Sequence, residues 1–144
     1  MFLLPMPNES VQRLSLGGHL ALVGTQQMEG NRHLLNELTR ILYFTFCLVD
    51  ASGDALDPEV FLQAEEVLDR AVLRAEKTGI WRVEREEAVA IEPILRRYDD
   101  LIASVSSQRY LDADVRLTKL LQGTHTVSPL RRRYGKKQPT EDER

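Results

Sequence analysis

The stretch ILYFTFCLV, from Ile41 to Val49, sets nine residues in a row without a charge, a Gly or a Pro. Wherever the chain folds, such a run has to be covered on every side. It is too short to cross a bilayer, which takes roughly 20 apolar residues as a helix. Two local structures fit it. As a strand, Tyr43, Thr45, Cys47 and Val49 would alternate with Leu42, Phe44, Phe46 and Leu48. As a helix, it continues the face set by Leu34, Leu35, Leu38, Ile41 and Leu42. The helix is preferred because the helical period enters the run unbroken from Leu34. Asn31, after Gly30, is placed to cap that helix, which extends to about Asp50. It is expected at the centre of the fold, wrapped by four others, and, compatibly with that, to share its aromatic side, Tyr43, Phe44 and Phe46, with a second copy in a homodimer.

The rest of the chain supplies helices to do the wrapping. Residues 1–7 read as a loose arm. A helical pattern starts at Asn8 or Ser10, and Gly17-Gly18 predicts a break followed by a short helix over 19–28. Asp57-Pro58-Glu59 is a strong helix start, because Asp accepts amide hydrogen bonds and Pro needs none. From there Val60, Phe61, Ala64, Val67, Leu68, Ala71, Val72 and Ala75 make a stripe that Gly79 ends. Glu65, Glu66, Asp69, Arg70, Arg74 and Glu76 are assigned to its solvent face. Trp81 is expected to plug a gap between helices. A fourth helix spans about Glu86 to Ser104, with Pro93 predicting a kink or a second segment. A fifth, capped by Ser106 or Ser107, runs to about Gln122 with Tyr110, Ala113, Leu117, Leu120 and Leu121 inward. The fold class is therefore all-α: one domain of about five helices over residues 8–123, followed by a disordered tail over 124–144.

Charge is divided unevenly along the chain. Residues 124–144 hold six basic and three acidic side chains, within a whole chain of net charge −3. The body is acidic and the tail basic. In the tail, RRRYGKK offers Arg131, Arg132, Arg133, Lys136 and Lys137 around Tyr134. Basic side chains with an interleaved aromatic suit weak, salt-sensitive contact with phosphate backbones, or contact with an acidic protein surface. Cys47, the single cysteine, lies in the apolar run. That usage fits a reducing cytoplasm. The N-terminal MFLLPMPNES lacks the basic start and cleavage site of a signal peptide.

DASGDALDPEVF, residues 50–61, has the look of a calcium loop. The twelve-residue loop needs Gly at its sixth position and Glu at its twelfth, and here those are Ala55 and Phe61. The stretch reads as an inter-helix loop leading into the Asp57 cap. TQQMEGN, Thr25 to Asn31, has a Thr followed four residues later by Glu-Gly. It resembles the inhibitory helix that restrains Fic AMP-transferases. That resemblance covers six residues, and implies Glu29 as an inhibitory carboxylate with Thr25 as its anchor, acting in trans as an inhibitor or antitoxin.

Catalytic and metal chemistry have little footing. His19, His33 and His125 are scattered, no Cys/His metal spacing occurs, and no phosphate-binding glycine loop is present. No cofactor or membrane contact is expected. The expected function is that of a non-catalytic cytoplasmic protein-binding regulator or adaptor acting through a helical face. The alternatives are the inhibitor reading of Thr25–Asn31 and a nucleic-acid-associated protein using the tail.

Overall fold

The computed structural model describes residues 4–26, 31–52, 57–122, 128 and 130. They form α1 (Asn8–Gln26), α2 (Arg32–Ser52), α3 (Pro58–Thr78), α4 (Arg85–Ser104) and α5 (Ser107–Gln122). The all-α class is the one observed. The strand reading of Ile41–Val49 fails, since the whole run lies inside α2. Among the described residues, the one strand-like pairing is an isolated bridge between Pro5 and Ser106. Beside it, the Ser107 amide donates to the Leu4 carbonyl at 2.9 Å. The arm is therefore tied to the start of α5 at those residues. No described helix is long and apolar enough to cross a membrane.

Local chemistry sets the helix ends. The Asp57 carboxylate accepts from the Glu59 amide at 3.1 Å, with Pro58 as the first helical residue. Gly79 closes α3 in the left-handed region, φ 75°, and its amide donates to the Ala75 carbonyl at 2.7 Å. A side chain is disfavoured in that conformation. The Asn31 amide oxygen accepts from the Leu34 amide, and the Ser106 hydroxyl accepts from that of Arg109.

α2 is the hub, touching each of the other four helices. Its run is sealed within one chain: Phe44 is 0% exposed, Phe46 2% and Cys47 0%. Tyr98 of α4 meets Phe44 edge-on with ring centres 6.0 Å apart, and Tyr110 of α5 lies 4.8 Å from the same ring. Of the shared-interface reading of Tyr43, Phe44 and Phe46, the parts for Phe44 and Phe46 are thereby corrected. Phe44 and Phe46 are consumed by the chain's own core, and the partly buried Tyr43 donates its hydroxyl to Glu65 at 2.7 Å.

Four further expectations are corrected. α1 does not break at Gly17-Gly18 but runs through both. A Cβ at Gly18 would sit 3.1 Å from Ile41 Cδ1 and 3.2 Å from Leu95 Cδ2. Close packing on α2 and α4 thus overrides the poor helix propensity. α4 is one helix through Pro93, so of the kink and the second segment it is the second segment that is ruled out. Both Pro93 and Val89, whose carbonyl loses its partner, face solvent, where water can satisfy it. Glu65 is buried, not solvent-facing, and Leu121 is exposed, not inward. Of the segment 124–144 only Ser128 and Leu130 are described, and Leu130 is fully buried in the main core cluster.

Candidate interaction face

Among the described helices, the outward side of α1 stands out for its lack of charge. From Leu14 to Gln26 the chain carries no Asp, Glu, Lys or Arg. Along that stretch Leu16, Leu20 and Val23 fall at i, i+4 and i+7, hence on one face. They are 58%, 58% and 51% exposed. The opposite face supplies Ala21 and Leu22 to the core. α1 is therefore apolar on two sides, and a helix apolar all round calls for cover on both. Exposed apolar residues on α3 and α5 include ones that stand among charges: Leu73 beside Asp69, Arg70 and Lys77, and Val115 beside Asp112, Asp114 and Lys119.

Fixed contacts hold both edges of the face. Toward α4, the Asp99 carboxylate accepts from the Ser15 hydroxyl at 2.6 Å and pairs with His19 Nε2 at 2.7 Å. The three residue types match a nucleophilic triad, but the order does not. A relay needs the imidazole between hydroxyl and carboxylate, whereas here the carboxylate stands between the other two. The cluster clamps α1 to α4. Toward α2, Leu34 packs so close that a Cβ at Gly24 would lie 2.7 Å from its Cδ1.

Other polar clusters belong to the fold. Arg40 grips Glu37 through two contacts, of 2.8 and 3.1 Å. Burial pushes the nearby Tyr98 and Tyr110 phenols up. Arg116 pairs with Asp50 at 2.8 Å and covers the Phe46 ring, so the first acidic residue of the calcium-like stretch is engaged in an ion pair. Arg32 lies over Trp81, 4.9 Å from its ring centre. An open groove on α3 is lined by Arg70, Leu73, Arg74, Lys77 and Thr78. Two of its three cations are already paired, Arg70 with Glu66 and Arg74 with Glu87. Burial also pushes the Cys47 thiol up to about 11, a state far from a reactive thiolate. Among the described residues no three His, Cys, Asp or Glu side chains converge as metal ligands would.

The Arg74–Glu87 pair has a measurable consequence. Arg74 donates to the Glu87 carboxylate at 2.7 Å and to the Arg82 carbonyl at 2.8 Å, while the Glu84 amide donates to Glu87 at 2.9 Å. Burial pushes the Glu87 carboxyl up, but those donors outweigh it and hold it below the ordinary range. A carboxyl lowered in the fold stabilises above its unfolded pKa, about 4.3. That contribution disappears as pH falls through the folded value. Glu87→Gln is expected to cost about 2 kcal/mol at neutral pH and less in acid. Urea midpoints of the two proteins should converge as pH drops. Parallel curves would assign the acid sensitivity to other carboxylates.

The residues singled out from sequence are not brought together. Thr25 is fully buried, and its hydroxyl donates to the Leu22 carbonyl at 2.7 Å. The Val83 amide donates to the Thr25 carbonyl at 2.9 Å. Thr25 therefore offers no surface to a partner, which corrects its assignment as a contact residue. Glu29 lies outside the described residues, as do Arg131, Arg132, Arg133, Tyr134, Lys136 and Lys137. No protein-family model matches this chain, and neither curated proteins nor solved structures give a match.

Proposed function

We propose that this chain is a protein-binding regulator or adaptor without chemistry of its own, and that it binds through the outward face of α1. One observation carries the reading: 13 successive residues of a helix, Leu14 to Gln26, lack charge while Leu16, Leu20 and Val23 stand more than half exposed. Interface centres are depleted of charge in the same way. The non-catalytic part is supported by the order of the Ser15–Asp99–His19 cluster and by the buried thiol of Cys47. That free thiol also suits the cytoplasm as the site of action.

The test is retention of partners by the tagged full-length chain from its source cell, wild type against Leu20→Glu. Leu20 is exposed, so the variant should unfold within about 0.5 kcal/mol of the wild type. A buried charge in the contact should reduce the retained partner at least tenfold. Equal retention by both proteins would remove α1 as the binding face. Retained material that nuclease releases would move the function to the basic tail.

A further inference from the structure

We infer that the partner of the α1 face is a second copy of this chain, α1 packing on α1 of the other copy about a twofold axis. The inference rests on the reading of that face given above. Gly17 carries it. This glycine lies inside a helix, where only proline is less favourable. Its neighbours Gly18 and Gly24 are explained by Ile41, Leu95 and Leu34, each of which a Cβ would crowd. A Cβ at Gly17 meets nothing within 4 Å, so no described part of the chain requires a glycine there. Gly17 adjoins Leu16 and stands three residues from Leu20, on the flank of the exposed stripe. A glycine at such a place permits a second backbone to come close.

Charge selects the occupant. In a twofold contact a surface meets itself, and any charge near the axis is brought toward its own copy. The α1 face escapes that repulsion because Leu14–Gln26 holds no Asp, Glu, Lys or Arg. Arg13 and Glu9 continue the stripe one and two turns before Leu16, both exposed and opposite in sign, so in an antiparallel pairing they lie at the ends of the contact and away from the axis, and His19 is already paired with Asp99. The exposed faces of α3 and α5, studded with charges, would meet their own pattern. A partner chosen by charge complementarity would need charges to read, and the stretch Leu14–Gln26 supplies none beyond His19, which is already paired. The 13 residues Leu14–Gln26 span about 20 Å of helix. Two such stretches side by side make a small contact, in the class below about 1,200 Å² where association is weak or transient. The dimer is therefore weak and concentration-dependent.

Sedimentation velocity on the full chain, from about 5 to about 500 μM, tests this. The wild type should pass from monomer to dimer across the range. Leu20→Glu should need at least tenfold more protein to dimerise. Gly17→Gln should separate folding from assembly: a better helix former there raises the melting temperature by a few degrees, yet weakens the dimer at least tenfold. A glycine with only a structural role would change the first quantity alone. A chain monomeric at every concentration overturns the inference, as does a dimer that survives both substitutions. If the monomeric chain still holds a different protein that Leu20→Glu loses, self-pairing fails and α1 remains the binding face.

Discussion

Phe44→Ala should cost about 3–5 kcal/mol of folding stability, the range for emptying an aromatic site in a close-packed core. Phe44 is fully buried at the junction of α2, α4 and α5, against Tyr98 and Tyr110. Neither ring can follow it inward without abandoning its own contacts, so the cavity should persist. A melt or urea titration measures the loss. The same substitution should leave the dimer constant of the remaining folded protein unchanged. A variant of near-wild-type stability that no longer dimerises would return the aromatic run to an intersubunit role.

Leu130→Ala carries the second large effect, about 2–5 kcal/mol. Leu130 is 0% exposed and belongs to the core cluster, although it is followed directly by the basic run that begins at Arg131. Composition alone hides it, because the surrounding segment is polar and one leucine sets no period. The result bears on any experiment with the tail. Removing residues 124–144 would take out a core side chain together with the cations. A cut after Leu130 removes Arg131, Arg132, Arg133, Tyr134, Lys136 and Lys137 and keeps the core residue. If Leu130→Ala is as stable as the wild type, this segment does not contribute to the core.

Signals readable in the sequence were those that act locally. Asp57, Pro58 and Gly79 fix the ends of α3 through their own backbone chemistry, and all three act as expected. The central place of α2 followed from nine residues that no single face can hide. What escaped depends on neighbours distant in sequence. Gly17-Gly18 predicts a break by propensity, but Gly18 is there for Ile41 and Leu95. A break there would leave no stripe from Leu16 to Val23, so the face is legible only with α1 continuous. The charge of Glu65 predicts a place in solvent, yet it is buried. Its spacing from Phe61 and Leu68 puts it on the buried stripe, and that spacing was the available signal. Ser15 and His19 are one helical turn apart, but nothing in the sequence points them at Asp99, 80 residues from His19.

α1 and α3 provide a matched pair of sites for deciding where the protein makes its contact. Leu16 is 58% exposed and Leu73 59%, so exposure alone treats them alike. A photo-crosslinking benzophenone side chain placed at either position of the full chain, in its source cell, reports what lies against it. A strong adduct is expected from position 16, with the mass of two copies of this chain, and little from position 73. Adducts of equal strength at both positions, or a stronger one at 73, would contradict α1 as the contact face.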